Sequence, residues 1–222
     1  MTGGSEARAQ ELSVTVQAGG VNLAADLYWP AAVPRAIIIF AHGSGSGRLS
    51  PRNRYVAGLL RGRRFAALLF DLLTEEEESV DLRTAEFRFD IALLAERLSA
   101  ASSWLRREAQ TRALPLGYFG ASTGAAAALI AAAKLPDEVR AVVSRGGRPD
   151  LAGPALDEVR ASTLLVVGGD DEPVIEMNRA ALERLRCEKK LEIVPEATHL
   201  FEESGALEKV AGLACDWFGA HL

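Results

Sequence analysis

One serine in this sequence has the setting that a catalytic nucleophile requires. Ser122 is the centre of GASTG at 120–124, a Gly-x-Ser-x-Gly pattern. The apolar run 114–120 leads directly into this pattern, and the alanine-rich stretch 125–133 leads directly out of it. A strand, a tight turn and a helix in this order expose a serine in a strained conformation, for which the two glycines leave room. We therefore predict that Ser122 is a nucleophile; an ordinary strand-to-helix turn with an exposed serine is the alternative.

A serine nucleophile needs a general base, and the chain has three histidines. In proteins with this strand–turn–helix pattern, the chain order is serine, acid, histidine. His42 precedes Ser122, which leaves His199 and His221 as candidates. His221 is the penultimate residue, whereas His199 lies in PEATHLF, a predicted loop between a short strand and the last helix. His199 is therefore the predicted base.

The acid that orients the histidine is expected between Ser122 and His199, just past a strand. The segment TLLVVGGDDEPV, which begins at residue 163, places Asp170 and Asp171 at that point and adds Glu172 as a third carboxylate. A carboxylate there would hold the imidazole by its Nδ1–H. The residue types and their spacing do not decide between Asp170 and Asp171.

The negative charge that develops on a substrate oxygen requires backbone N–H donors. One predicted donor is Thr123, directly after the nucleophile, and the other is Ser44 in the loop HGSGSGR at 42–48. The glycines of this loop let backbone amides turn inward. A phosphate-binding loop is the alternative, but the segment lacks the lysine of GxxxxGK[ST] and is one residue short of the dinucleotide pattern. We therefore predict an oxyanion hole formed by Ser44 and Thr123.

The elements that must position these residues alternate along the chain. The runs 11–18 and 21–29 are joined by two glycines and predict a β-hairpin. Nearly unbroken apolar runs predict strands buried on both faces at 36–41, 65–70, 114–120, 139–144, 163–169 and 191–194. Helical patterns lie at 51–62, 84–109, 123–134, 174–187 and 205–220. We therefore predict one α/β domain over 1–222, with a mostly parallel sheet, helices on both faces and a flexible tail at 1–10.

Composition and charge argue against several classes of function. The chain has 222 residues, 49% of them hydrophobic, and a formal net charge of −5, so neither nucleic acid nor an anionic membrane is an expected partner. Cys187 and Cys215 form no CxxC pattern, which argues against a zinc site or a disulfide framework. The N-terminus shows no apolar signal segment, and no apolar stretch is long enough to span a membrane. We expect a cytoplasmic protein that needs neither cofactor nor metal and acts on a small molecule; the sequence does not determine its oligomeric state.

The segments that carry the predicted chemistry also resemble a known family. HGSGSG, GASTG, GGDDEPV and EATHLF, in this order, are similar to the α/β-hydrolase fold and, within it, to the dienelactone hydrolase-like proteins. The family's acid motif, Gly-x-x-Asp-x-x-Val, matches Gly168, Asp171 and Val174, so the resemblance favours Asp171 as the acid. Dienelactone hydrolases proper use a cysteine nucleophile, whereas position 122 is serine, as in family members that act as carboxylesterases. HGSGSGRLSPRN and SRGGRPDLAG further resemble hydrolases joined to phosphoribosyltransferase domains, which implies such a domain as a partner.

The resemblance implies hydrolysis of carboxylic esters or lactones through an acyl-enzyme on Ser122. Caps in this fold are inserted between the strands that here end near Ser144 and begin near Thr163. That gap holds only a loop and one short helix, so short-chain or small aryl esters are the expected substrates. The alternatives are a non-catalytic interaction subunit and the same triad acting on thioester, peptide or phosphoester bonds.

Two charged groups near the predicted site bear on specificity. Arg145 follows the strand 139–144 at its carboxyl end, where a guanidinium can clamp a substrate carboxylate. A structural arginine is the alternative. The acidic run Glu75–Glu78 is expected in a solvated loop beside the same face, with selection against anionic substrates as its alternative.

Overall fold

A computed structural model describes residues 8–222, so most of the predicted tail lies outside the described residues. The first strand begins at Gln10, inside the range predicted as tail. The strands are β1 (Gln10–Ala18), β2 (Val21–Trp29), β3 (Ala36–Ala41), β4 (Phe65–Phe70), β5 (Leu116–Ala121), β6 (Val139–Arg145), β7 (Ser162–Gly168) and β8 (Lys189–Val194). The helices are α1 (Pro51–Gly62), α2 (Glu75–Thr84), α3 (Ile91–Arg107), α4 (Thr123–Lys134), α5 (Glu172–Arg184) and α6 (Ala206–His221).

All eight strands form one sheet in the order β1-β2-β4-β3-β5-β6-β7-β8. β2 pairs antiparallel with β1 and with β4, and every other neighbouring pair is parallel. Helices α1 and α6 pack on one face of the sheet, and α3, α4 and α5 pack on the other. This arrangement is the α/β-hydrolase fold with an N-terminal antiparallel hairpin, which confirms the predicted fold class.

The central strands read as unbroken apolar runs because both of their faces are buried. In β3, Ile37 and Ile39 face the core under α3 and α4, while Ile38 and Phe40 face the core under α1 and α6. All six residues of β3 are buried, and the same holds for β4 and β5. Burial on both faces is the condition of a parallel strand covered by helices on each side.

The carboxyl ends of the parallel strands meet at one edge of the sheet. Ala41 of β3 lies opposite Gly120 of β5, and Ala121 lies opposite Arg145 of β6. β3 is also the point where the strand order reverses, because its neighbours are β4 on one side and β5 on the other. Ligands of open α/β sheets bind in the crevice at such a point. The loops that carry the predicted site residues all leave from this edge.

The segment after β4 differs from the prediction. Glu75–Glu78 were expected in a loop and 84–109 in one helix, but the chain forms α2 and then a separate α3 that begins at Ile91. Thr74 begins α2 with a capping box, in which its hydroxyl accepts from the Glu77 N–H and the Glu77 carboxylate accepts from the Thr74 N–H. Four glutamates in the first turn also match the positive end of the helix dipole.

The break between α2 and α3 has an identifiable cause. Ala85 adopts a left-handed conformation with φ of 58°, which ends α2. The Asp81 carboxylate then accepts the backbone N–H groups of Phe87 and Arg88 at 2.8 and 2.9 Å. The segment 85–90 is therefore held against α2, and both face the carboxyl edge of the sheet.

The connection between β6 and β7 is short, as the sequence predicts. It consists of a 3₁₀ segment, Pro149–Glu158, interrupted by the non-helical Gly153. Within residues 8–222, no inserted cap covers the carboxyl edge. In the same part of the chain, no helix has the length and apolarity required to cross a membrane.

Candidate active site

Ser122 occupies the sharp turn between β5 and α4. Its φ of 50° and ψ of −121° lie in a region that residues with a side chain rarely adopt. Its N–H donates to the Arg145 carbonyl at 3.2 Å, and its own carbonyl accepts the N–H groups of Ala125 and Arg148, each at 3.1 Å. The end of β6 and the loop after it therefore hold the strained backbone in place.

The two glycines of the GASTG pattern are required by close backbone approach. A Cβ at Gly124 would overlap the carbonyl oxygen of Ala41 at the end of β3, and one at Gly120 would overlap Ala125 in α4. Both overlaps are with backbone atoms, which have little freedom to move aside. The turn with Ser122 at its tip can therefore pack against the sheet only with glycine at both positions.

His199 and Asp171 are in direct contact. The Nδ1 atom of His199 lies 2.7 Å from Oδ2 of Asp171, with about 38% of the histidine side chain and 15% of the aspartate side chain exposed. With Nδ1–H donating to the carboxylate, Nε2 is left free to accept a proton. Asp170 is exposed, and its backbone N–H donates to the Ala197 carbonyl at 3.0 Å. The geometry therefore joins His199 to Asp171 rather than to Asp170.

The loops that carry this pair are packed against each other. A Cβ at Gly168 would overlap the carbonyl oxygens of Ala197 and Thr198, so the glycine allows the histidine loop to approach the end of β7. The Gly169 N–H donates to the carbonyl of Val194 at 2.7 Å. The position of the histidine relative to the acid is thus set by backbone contacts as well as by the side-chain hydrogen bond.

The histidine also lies next to the strand end that supports the nucleophile. Gly146, which follows Arg145, is so close to the imidazole that a Cβ there would lie 3.5 Å from Nδ1 and from Cε1 of His199. Across residues 8–222, His199 makes no direct hydrogen bond with Ser122. Catalytic hydrogen bonds are often long before substrate binds and tighten in the complex.

The predicted oxyanion donors are brought together by a contact between their side chains. Ser44 Oγ and Thr123 Oγ1 lie 3.1 Å apart, which joins the loop after β3 to the first residue of α4. The backbone N–H of Thr123 has no partner inside the helix because it lies in the first turn. A Cβ built on Gly43 would lie 3.1 Å from the Cβ of Ser122, so the Ser44 loop runs directly beside the nucleophile.

His42 is buried and holds two strand ends together. Its Nε2 accepts the Leu72 N–H at 3.0 Å, so Nδ1 carries the proton and donates to the Gly43 carbonyl at 3.0 Å. Burial lowers the pKa of His42, which keeps it neutral. Both ring nitrogens are therefore used in fixing the loop that contains Ser44.

Arg145 lies beneath the histidine loop and is nearly inaccessible. It is 7% exposed, and its guanidinium carbon lies 6.0 Å from the centre of the Phe201 ring. Its Nε and Nη1 have no hydrogen-bond partner in the part of the chain that the structure describes. Burial and, to a smaller extent, the positive charge of the nearby Arg52 together lower the pKa of Arg145 to about 10. Contact between Arg145 and a substrate carboxylate stays a prediction. A substrate would have to reach below the loop that carries His199.

A small cavity, partly open to solvent, lies beside the predicted oxyanion donors. Ser44 and Thr123 line one end of it, and α2 with the segment 85–90 supplies the far wall. The residues that line the cavity away from the oxyanion donors are Leu72 and Leu73 after β4, Glu78 and Asp81 of α2, Arg88, and Leu94 of α3. The sequence predicts a loop here rather than a helix, although the Thr74–Glu77 capping box is a signal that indicates the start of α2.

Comparisons with known proteins show the family to which the chain belongs. No protein-family model matches the chain. A crystal structure of dienelactone hydrolase from Anabaena variabilis has 57% sequence identity and a TM-score of 0.94, and the match covers 97% of this chain and 99% of that one. The chain belongs to the dienelactone hydrolase-like family of α/β hydrolases. Among residues 8–222 of this dienelactone hydrolase-like chain, no cluster of three His, Cys, Asp or Glu side chains is arranged to hold a metal ion.

Two further matches are to a longer protein and to a more distant structure. This dienelactone hydrolase-like chain is 58% identical over 209 residues to a Mycobacterium tuberculosis protein provisionally named a phosphoribosyl transferase. That match covers 94% of the chain and 46% of the other protein, so the chain spans about half the length of the curated relatives it matches. A dienelactone hydrolase-like promiscuous phosphotriesterase from metagenomic libraries shares the fold, with a TM-score of 0.79 at 18% identity over 96% of this chain and 99% of that one.

Proposed function

We propose that this chain is a serine hydrolase that cleaves short-chain or small aryl carboxylic esters, or lactones, through an acyl-enzyme on Ser122. The observation that carries the proposal is the strained turn at Ser122 together with the 2.7 Å contact between His199 and Asp171 at the same sheet edge. Neither cysteine competes for the role of nucleophile. Cys187 contacts Thr163 at the opposite end of β7, and Cys215 is buried in α6.

In the first half of the reaction, the Ser122 hydroxyl oxygen attacks the ester carbonyl carbon while Nε2 of His199 accepts the hydroxyl proton. Asp171 holds Nδ1–H and stabilises the imidazolium that forms. The backbone N–H groups of Ser44 and Thr123 donate to the oxyanion. His199 then protonates the departing alkoxide, which leaves as the alcohol.

In the second half, water replaces the alcohol. His199 accepts a proton from the water, which attacks the acyl carbon while the same two N–H groups hold the oxyanion. The bond between the acyl carbon and Ser122 Oγ then breaks, and His199 returns its proton to the serine. The products are a carboxylic acid and an alcohol, and the reaction consumes one water molecule.

The size of the expected substrate follows from the walls around the nucleophile. The cavity next to Ser44 and Thr123 is small, which favours a small substituent over a long acyl chain. The connection between β6 and β7 contains only the 3₁₀ segment Pro149–Glu158 and short flanking loops, so it adds no long apolar wall. Short acyl chains and small aryl groups therefore fit best.

The relation to phosphoribosyl transfer concerns the longer relatives. The Mycobacterium tuberculosis protein has a length about twice that of the match, and its name refers to a transferase. We infer that the part outside the match supplies the residues for phosphoribosyl transfer, whereas this chain corresponds to a hydrolase part. A phosphoribosyltransferase partner and the cytoplasmic location stay predictions.

The experiment that tests the proposal compares wild type with Ser122→Ala on a panel of p-nitrophenyl esters. Loss of the nucleophile removes the acyl-enzyme route, and losses of triad residues cost about 10⁴–10⁶ in kcat. We expect the alanine variant to fold normally by circular dichroism and to lose ester hydrolysis. Full activity in this variant, or no hydrolysis of any ester by wild type, contradicts the proposal; the latter result favours a non-catalytic subunit or a different scissile bond.

A further inference from the structure

The cavity beside the oxyanion donors is lined by one carboxylate that has no partner among the described residues, 8–222. Its apolar walls come from Leu72, Leu73 and Leu94. Its charged groups are Asp81, Arg88 and Glu78. Because Ser44 and Thr123 line one end, an ester whose carbonyl oxygen accepts their N–H groups binds next to this space.

Asp81 and Arg88 neutralise each other. Arg88 Nε donates to the Asp81 carboxylate at 2.6 Å, and Arg88 Nη2 donates to the Asp81 carbonyl at 2.8 Å. The same carboxylate also accepts the N–H groups of Phe87 and Arg88. Asp81 and Arg88 therefore add no net charge to the wall.

Glu78 is different because its carboxylate has neither an ion pair nor a hydrogen bond within residues 8–222. It lies on α2 and is half-buried. Burial raises the pKa of Glu78, the carboxylates of Asp71 and Asp81 raise it further, and Arg88 lowers it. Asp71 is itself occupied, because it accepts the Arg48 N–H at 2.7 Å and pairs with the Arg48 side chain at 3.3 Å. Glu78 is thus the charge that a ligand in the cavity would meet.

We propose that Glu78 makes this cavity selective for esters that carry a positively charged or hydrogen-bond-donating group and selective against esters that carry a carboxylate. The inference rests on the proposed ester hydrolysis at Ser122 and names its substrate class. A cation in the cavity pairs with a carboxylate that otherwise stays partly desolvated and unpaired, whereas an anion is repelled by it.

The test uses p-nitrophenyl esters whose acyl chains have equal length and end in a quaternary ammonium, a tert-butyl group or a carboxylate. Acetate esters with the same three groups on the alcohol are measured as well, so that either arm of the ester can occupy the cavity. In wild type we expect kcat/KM to fall from the cationic through the neutral to the anionic ester in at least one series. In Glu78→Gln, the ratio of cationic to anionic kcat/KM should fall by about 10- to 100-fold.

Glu76→Gln is the matched control, because Glu76 lies on the same helix, is exposed and does not line the cavity. The same unit of charge is removed there, and we expect the cationic-to-anionic ratio to change less than twofold. The ionic strength provides a second control that needs only the wild-type protein. Raising it should lower the ratio of cationic to anionic kcat/KM, because salt screens an electrostatic preference.

The outcomes separate the two proposals. If wild type hydrolyses the neutral esters while Glu78→Gln leaves both ratios unchanged, the inference about Glu78 is wrong and the proposed function stands. If no ester is hydrolysed in a Ser122-dependent manner, the proposed function itself fails. Equal changes in Glu78→Gln and Glu76→Gln mean a general effect of net charge and also overturn the inference.

Discussion

The two sides of the nucleophile differ in packing and in charge. On the histidine side, the loop with His199 is packed tightly, and the cation beneath it, Arg145, is buried with no acidic partner among residues 8–222. On the oxyanion side, a cavity remains open, and the charge in it that is unpaired within the same residues is the carboxylate of Glu78. A charged residue can therefore lie close to the predicted nucleophile and still be inaccessible to a substrate. In the proposed reaction, the closed side positions the catalytic groups, and we infer that the open side selects among substrates.

The largest expected effect is on the histidine side. Asp171→Asn should lower kcat by about 10³–10⁴ for every ester, because the asparagine favours the wrong tautomer of His199. Asp170→Asn is the matched control, since it makes the same chemical change one residue earlier on an exposed side chain. Steady-state kinetics with a short p-nitrophenyl ester measure both variants. Equal losses, or a larger loss in Asp170→Asn, would contradict the assignment of Asp171 as the acid that orients His199.

A smaller effect is expected at Arg145. Its guanidinium packs against Phe201, two residues after His199, so Arg145→Met should displace the loop and lower kcat/KM by about 10- to 100-fold. Because the side chain is buried, we expect the same loss with a carboxylate-bearing ester and with a neutral ester of similar size. A loss confined to the carboxylate-bearing ester would instead support the contact that the sequence predicts between Arg145 and a substrate anion.

The smallest effect concerns the length of the acyl chain. Burial of a methylene group is worth about 0.8 kcal/mol, or roughly a fourfold gain in kcat/KM, but only where a wall exists to bury it against. The small cavity beside Ser44 and Thr123 offers such a wall only to short chains. We expect kcat/KM to peak between acetyl and butyryl esters and to fall by the octanoyl ester. A steady rise through long chains would reveal an apolar tunnel and contradict the proposed substrate size.

The sequence predicted the strands and the nucleophile turn because both depend on local patterns. The hairpin, the buried strands and the glycines around Ser122 each follow from residues next to one another. The choice between Asp170 and Asp171 does not follow from a local pattern. Two adjacent aspartates after a strand have the same side chain and nearly the same position, so only the resemblance to the family favoured Asp171. The structure shows the local reason, which is the contact between Asp171 and His199.

The charged residues were harder to place, because the direction of a side chain depends on distant elements. Arg145 does lie at the carboxyl end of β6. Because it is two residues after Val143, its side chain is on the same face of the sheet, toward α1 and α6, where it packs under the histidine loop. The run Glu75–Glu78 was expected in a loop because it lacks apolar residues. The capping box begins a helix there nonetheless, and the fold of 85–90 aligns that helix with the oxyanion donors.

The central claim is that Ser122 forms the acyl-enzyme, and covalent labelling tests it most directly. A fluorophosphonate probe reacts with a serine that is activated by a neighbouring base, and peptide mass spectrometry then identifies the modified residue. We expect one equivalent of probe on Ser122, no labelling in Ser122→Ala, and unchanged attachment to Ser122 in Glu76→Gln. Labelling of a different serine, or none in a folded wild-type protein that hydrolyses esters, would contradict the account.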